Sequence, residues 1–147
     1  MPPPAPLDQR RVGLASLAAA LAYLAVNALD MRLFRYPQND LVLQGRMLPI
    51  FPRRLWPLTG LVMHTGFGAT LTALYAHLGR DHLPGPPWLR GVTWLLAENP
   101  LLWPLVLLLD RHHPAVRDGQ MPPLSTLRCF IQANLPPIAF AAVMALA

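Results

Sequence analysis

The sequence predicts an all-α, polytopic membrane protein with four transmembrane helices, the third and fourth of which are interrupted by proline. Of the 147 residues, 54% are hydrophobic and 13% are charged, whereas soluble domains usually carry about 25% charged residues. The apolar residues also form four blocks, separated by arginine-rich and proline-rich connections. Each block is long enough to cross the hydrocarbon core of a bilayer as a helix.

The blocks divide the chain into a short tail and one domain. We expect a disordered, proline-rich segment over residues 1–11 and a single transmembrane domain over residues 12–147. The predicted spans are residues 12–29, 57–78, 88–109 and 127–147. The first block is longer than the apolar region of a signal peptide, so we expect a retained helix.

The third block carries polar residues and prolines inside an apolar run. Pro100 and Pro104 cannot donate backbone hydrogen bonds, which predicts a kinked helix with two freed carbonyls. Glu98 and Asn99 lie beside them, near the middle of the block. A carboxylate at this depth usually faces a partner group, a cavity or a proton path. The fourth block has Pro136 and Pro137 in its interior, so we expect an interruption there too.

Depth along each span suggests a buried polar cluster. At about 1.5 Å per residue, Tyr23, His64 and Asn134 each lie roughly 4 to 6 Å from the span midpoint on one side, and Glu98 lies slightly to the other side of its own span midpoint. With Asn99, these residues form the candidate cluster. One hypothesis makes Glu98 and His64 a protonatable site. The alternative, which we favour, is that the cluster holds the helices in register.

Two further sets of residues have predicted structural roles. Small residues at helical spacing in the second span predict close helix packing, and they are Gly60, Gly68, Ala69, Ala73 and Ala76. The long connection before that span is predicted to lie on the membrane surface, with a short helix over residues 40–44 closed by Gly45. Its arginines are predicted to contact lipid headgroups, with a dedicated phosphate site as the alternative, and they are Arg32, Arg35, Arg46, Arg53 and Arg54.

The loop charges also predict an orientation. The two larger connections hold more arginines than the opposite side, so the positive-inside rule places them in the cytoplasm and both termini outside. The predicted location is the inner membrane, and the predicted partner is the lipid bilayer together with a second copy or another membrane protein. No nucleic-acid-binding module is present, so we expect no nucleic-acid partner.

The sequence predicts no metal site and no cofactor. Asp110, His112, His113 and Asp118 form one group of possible ligands, but they lack a recognised zinc spacing and indicate an interfacial turn. The single cysteine, Cys129, excludes an internal disulfide and a cysteine cluster. No serine or cysteine nucleophile motif is visible, so an enzyme is the weaker class.

Several ordered motifs resemble an uncharacterised group of small four-helix bacterial membrane proteins. The most specific are His64 with Gly68 and Tyr75, Arg90-Gly91 leading to Glu98-Asn99, and Asp110-Arg111-His112-His113-Pro114. The resemblance covers nearly the whole chain and implies a four-helix membrane fold, but it implies no substrate. In the group the fourth helix carries a histidine and glycines, whereas this chain has Asn134, Pro136 and Pro137 there.

Three functions follow as hypotheses. The leading one is a non-enzymatic membrane component that packs with itself or a partner through the small-residue face of the second span. The first alternative is a small proton-linked transporter or carrier that uses Glu98 and His64. The second alternative is a membrane enzyme that acts at the arginine-rich interface.

Overall fold

The computed structural model describes residues 8–35, 38–47 and 50–145, and this part of the chain is all-α, without strands. It contains seven α-helices. They are α1 (Gln9–Phe34), α2 (Asp40–Gly45), α3 (Trp56–Leu74), α4 (Pro87–His112), α5 (Pro114–Arg117), α6 (Leu127–Ala133) and α7 (Leu135–Met144). A 3-10 turn (Arg53–Leu55) precedes α3, and a π-helical turn (Tyr75–Gly79) continues it.

Three helical stretches in the described chain are long and apolar enough to cross a membrane. They are α1, α4 and the stretch Leu127–Met144, which combines α6 and α7. The prediction of an all-α protein is therefore confirmed, and the three apolar helices are compatible with a multi-pass membrane protein. α3 is not among the three, because its glycines, threonines and His64 lower its hydropathy. A fourth crossing stays a prediction.

α1 begins earlier and ends later than the sequence indicates. The Asp8 carboxylate caps it by accepting from the backbone nitrogens of Arg10, at 3.0 Å, and Arg11. Such a cap satisfies amides that have no partner within the helix. Residues 9–11, predicted to be disordered, therefore form its first turn, while residues 1–7 of that predicted segment lie outside the described residues.

The two proline-containing helices behave differently. α4 is helical throughout, with Pro100 and Pro104 inside it, so the predicted interruption of the third helix is wrong. Each proline removes one backbone hydrogen bond, and the remaining bonds of this 26-residue helix hold it together. The fourth helix is interrupted, at Asn134. Pro136 and Pro137 fall in the first turn of α7, where a missing amide hydrogen costs least.

The long helices pack around two hydrophobic clusters. α1 contacts α3 and α7, while α4 contacts α7 and the π-helical turn. One cluster fills the half of the bundle near the α3–α4 connection, and it consists of Ala19, Tyr75, Leu95, Phe140, Ala141 and Met144. The second lies at the opposite end, and it consists of Ala115, Met121, Leu124 and Cys129, with Val42 and Leu43 of α2 packed against it. We call residues 38–47 and 110–126, which meet at this end, the cap.

Two glycines let α2 pack directly on the backbone of α3. A Cβ atom on Gly60 would lie 2.0 Å from the carbonyl oxygen of Leu41, and one on Gly45 would lie 2.0 Å from that of Trp56. The short helix predicted over residues 40–44 is present as Asp40–Gly45, but it packs against the bundle instead of lying on the membrane surface. Its first residue, Asp40, is buried.

Replacing Gly60 with alanine should destabilise the protein by about 2 to 3 kcal/mol, because the new methyl group overlaps the Leu41 carbonyl and forces α2 away. Thermal unfolding in detergent measures the change. Gly66→Ala is the matched control, because Gly66 lies in the same helix with open space around its Cβ position. The control should be neutral or slightly stabilising, since alanine favours helix. Equal stability of the two variants would contradict the close approach.

Candidate functional site

Polar side chains from four parts of the chain meet where the cap packs on the long helices, and they form what we call the polar layer. Its members come from α1, from the cap, from α3 and from α6, and they are Tyr23, Asn27, Asp30, Gln38, Asp40, Gln44, His64 and Gln132. The three α1 residues share one helix face, because they are spaced by four and three positions.

The first half of the polar layer joins α1, α2 and α3. The Tyr23 hydroxyl donates to the Asp40 carboxylate, and the Tyr23 and His64 rings lie with centroids 4.6 Å apart. Gln44 Nε2 lies 3.2 Å from His64 Nδ1. An amide nitrogen only donates, so Nδ1 accepts and the proton of the imidazole is on Nε2. That Nε2 is buried without a hydrogen-bond partner in the described chain.

The second half joins α1, the cap and α6. Gln132 Nε2 donates to Asp30 Oδ2 at 2.7 Å, and Asn27 Nδ2 donates to the backbone carbonyl of Gln38 at 3.1 Å. The Cys129 thiol lies 3.2 Å from Gln38 Oε1. These contacts tie the N-terminal part of the fourth helix to the cap.

Asp40 has the most perturbed acidity in the cap. Burial raises the pKa of its carboxyl from 3.8 to about 6, because the ionised form loses solvation. The hydrogen bond from Tyr23 acts in the opposite direction, and the charge of Asp30 raises the pKa further. Asp40 therefore gains a proton at a pH where an exposed aspartate is fully ionised.

Arg46 holds the two halves of the cap together. Its Nη2 lies 2.5 Å from Asp118 Oδ2, its Nη1 donates to Gln120 Oε1 at 2.8 Å, and its guanidinium stacks 4.4 Å from the centroid of the Trp56 ring. The hydrogen bond from Arg46 also lowers the pKa of Asp118. The Arg46 side chain is only 7% exposed. It was predicted to contact headgroups, but it faces the cap interior, whereas the other four predicted arginines are exposed.

His113 and Asp110 form internal links of the cap. His113 Nε2 donates to the Leu43 carbonyl at 2.8 Å and its Nδ1 accepts from the Ala115 nitrogen at 3.1 Å, so the ring is neutral. Burial lowers the pKa of His113, the Leu43 hydrogen bond acts against this, and the charge of Arg46 lowers it further. Asp110 accepts from the Leu124 nitrogen at 2.5 Å and from the Ser125 hydroxyl.

Residues 8–35, 38–47 and 50–145 contain no group of three or more histidine, cysteine, aspartate or glutamate side chains arranged to hold a metal ion. Asp110 and His113 belong to the group of possible metal ligands considered in the sequence. In the structure, their side chains make hydrogen bonds within the cap.

The predicted polar cluster is divided in the structure. Tyr23 and His64 are in contact, whereas Asn99 and Asn134 form a separate pair, with Asn99 Nδ2 donating to Asn134 Oδ1 at 2.8 Å. Asn99 also lies 3.4 Å from the carbonyl oxygen of Ala133, which Pro137 leaves without its helical partner. Glu98 is partly buried, and its charge acts on the Tyr23 hydroxyl, but its carboxylate has no hydrogen bond within the described chain.

The predicted packing face of the second span is used inside the chain. Gly60 and Gly68 are buried, and a Cβ on Gly68 would lie 3.0 Å from the Phe140 ring and 3.7 Å from the Ala20 side chain. Of the remaining small residues, Ala76 is buried, Ala73 is partly buried and Ala69 is exposed.

The most connected residues of the site were not among the predicted site residues. Asp40 and Gln44 belong to the short helix α2, whose insertion between the other elements depends on tertiary packing and is not indicated by a local pattern. Asp30 could have been found, because it lies on the same α1 face as Tyr23 and Asn27, one residue beyond the end predicted for that span.

The polar layer does not continue through the bundle. Beyond His64, the buried hydroxyls of Thr72 and Ser16 donate to carbonyls of their own helices, Gly68 and Val12, at 2.8 Å. The apolar cluster around Tyr75 then fills the interior. The arrangement can therefore hold the cap in place. Within the described residues, it offers no polar route to the opposite side.

The Asp40→Asn variant should remove one component of the pH dependence of stability. The folded-state pKa of about 6 exceeds the ordinary 3.8, so the stabilisation is complete below about pH 4 and is lost as the pH rises through 6. At about 1.4 kcal/mol per tenfold change in proton affinity, wild type should lose up to about 3 kcal/mol relative to the variant between about pH 4 and 7.

Unfolding in detergent across this pH range measures the effect as the difference between the two proteins. Groups such as His113 titrate in both and cancel. Parallel pH profiles would contradict a buried, protonatable Asp40.

Comparison with known protein families, with characterised proteins and with solved structures finds no match to this chain.

Proposed function

We propose that the chain is a four-helix, multi-pass inner-membrane protein in which α3 and its π-helical turn form the fourth crossing. Together they run without interruption from Trp56 to Gly79, through 19 residues and then 5 more. At about 1.5 Å per residue, 24 residues reach roughly 36 Å, which exceeds the hydrocarbon thickness of about 30 Å.

The distribution of residues around α3 supports this crossing. Its buried residues are Gly60, His64, Gly68 and Thr72, which repeat every four positions and face the interior. Its exposed large side chains are apolar, and they are Leu58, Leu61, Val62, Phe67 and Leu74. His64, Thr72 and two of the three glycines that lower the hydropathy of α3 are therefore turned away from the surroundings, as in a membrane bundle.

The arginines support an orientation with the cap in the cytoplasm and both termini outside. Arg32, Arg35, Arg53 and Arg54 are exposed around the cap end. Exposed arginines beside apolar helix ends favour the cytoplasmic side and the anionic headgroups of its leaflet.

The activity we propose is that of a non-enzymatic membrane component. One observation carries this proposal: the polar layer is used to hold the cap in the bundle, and an apolar core closes the bundle beyond it. A carrier that uses Glu98 and His64 needs a route across the membrane, and an enzyme at the arginine-rich interface needs a reactive group there. The geometry favours neither over a structural role.

Association with a second copy or a partner would use α4. The face around Gly68 is already covered by Phe140 and Ala20. By contrast, α4 has only Gly91 and Leu95 buried, and Leu101, among its outward side chains, is 78% exposed. α4 therefore presents a continuous apolar face to lipid or to another membrane helix.

The crossing by α3 can be tested with single cysteines in a Cys129→Ala background. A cysteine introduced at Arg53 should be labelled by a membrane-impermeant maleimide from the cap side, and one at Asp81 from the opposite side. Both residues are exposed and flank the proposed span. Labelling of both from the same side of intact inverted and right-side-out vesicles would remove the fourth crossing.

Proton flux distinguishes the structural role from the carrier. Vesicles that contain the purified protein should acidify no faster than empty vesicles under a pH gradient and membrane potential. The Glu98→Gln variant and the Asp81→Asn control should behave as wild type does. Flux in wild type that Glu98→Gln abolishes and Asp81→Asn retains would replace our proposal with the carrier.

A further inference from the structure

A lipid-facing groove runs between α1 and α7. It is an open groove with a volume of about 350 Å³, and its walls are almost entirely apolar. Leu29 and Leu33 of α1 form one wall, and Leu135 and Ile138 of α7 form the other. The one charged side chain among the described residues that line it is Asp30. An apolar groove with a single carboxylate is the kind of site that binds an amphiphile with a cationic end.

Two buried acceptors at this carboxylate lack hydrogen-bond partners. Asp30 and Gln132 are each 4% exposed. Gln132 Nε2 donates to Asp30 Oδ2 at 2.7 Å, which fixes the orientation of the amide. Asp30 Oδ1 and Gln132 Oε1 have no partner in the described chain. Leaving such groups unpaired in a buried position costs free energy.

The chemistry of the Asp30 oxygen specifies the missing group, because Asp30 lines the groove and Gln132 is not among its lining residues. Asp30 Oδ1 is an acceptor, so the group must be a donor. Asp30 has no ion pair within the described residues, so a positive charge is favoured. A primary ammonium has three hydrogens and one positive charge, whereas a trimethylammonium has no hydrogen to donate.

The depth of the groove agrees with an amphiphile. Asp30 lies 8.5 residues from the midpoint of α1, or roughly 13 Å at 1.5 Å per residue, near the edge of a hydrocarbon core about 30 Å thick. The groove extends inward from Asp30 to Val26 and Ala142. A molecule with its charged end at Asp30 would therefore place its alkyl chain along α1 and α7 toward the bilayer centre.

The geometry points to a binding site for a single-chain primary alkylammonium between α1 and α7, with the ammonium hydrogen-bonded to Asp30. Asp30 and Gln132 also belong to the polar layer, so the site adjoins the contacts that carry the proposed function, but the groove itself lies between α1 and α7. Arg128 donates to the Phe34 carbonyl at the outer end of the groove. Because the positive charge of Arg128 lies at this outer end, a cationic ligand would hold its own charge deeper in the groove, at Asp30.

Binding of dodecylammonium to the full-length protein in phosphatidylcholine nanodiscs tests the site. Calorimetry at pH 7 should show saturable binding of dodecylammonium at least about tenfold tighter than that of dodecyltrimethylammonium or dodecanol, which lack the hydrogens or the charge. Asp30→Asn should weaken the binding by about tenfold or more. Asp81→Asn, which removes an exposed carboxylate far along the chain, should leave it unchanged.

A second variant keeps the test decisive if Asp30→Asn does not fold. Ala139→Leu fills the groove from α7 without changing its charge, and it should abolish binding of the amine while the protein remains folded. Equal affinity for the amine and the alcohol would overturn the proposal, as would unchanged binding in Ala139→Leu. Displacement of the amine by phosphatidylethanolamine at membrane concentrations would overturn the single-chain assignment in favour of a lipid headgroup.

Discussion

The close approach of α2 to α3 is the constraint on which the rest of the structure depends. Without side chains at Gly45 and Gly60, the two backbones come into direct contact. Only at that distance does Asp40 reach Tyr23 while Gln44 reaches His64. A six-residue helix has little stability of its own, so α2 persists because its polar side chains and its glycines both match the bundle.

The cap depends on α2 in turn. Leu43 offers its carbonyl to His113, and Arg46 follows directly after the helix and reaches Asp118 and Gln120. Val42 and Leu43 also cover the hydrophobic cluster around Leu124. Two connections far apart in sequence thus fold on each other because one short helix is placed between them. The charged side chains Asp40, Arg46 and Asp110 of the cap make contacts within the protein, whereas the arginines at the edge of the cap are exposed.

The sequence predicted the helices well and the site only in part. The apolar blocks located α1, α4 and the broken fourth helix, because length and hydropathy are local properties. Asn99 of the third helix lies against the Ala133 carbonyl that Pro137 of the fourth helix leaves without a partner. The predicted interruption of α4 is absent, because the helix absorbs Pro100 and Pro104 without a break.

The remaining site residues depend on tertiary placement. Arg46 has the composition of a headgroup ligand, and only the position of the second connection turns it inward. From the sequence alone, Asp40 and Gln44 resemble surface residues of a polar connection. The packing of α2 against α3 is what places them in the interior. Gly68 has the spacing of an intermolecular contact, yet Phe140 of the same chain occupies the space. In each case the residue type indicated a role in an interaction, but the sequence did not indicate which group would be the partner.

The break at Asn134 separates the fourth helix into two pieces with different attachments. α6 is fastened to the cap through Gln38 and to the end of α1 through Asp30, whereas α7 lies along α1 and α4. A bend at Asn134 would therefore strain the bonds of α6 to Gln38 and Asp30 before it disturbed the contact between α1 and α7. The break in the fourth helix lies where the compact apolar half of the bundle gives way to its hydrogen-bonded half.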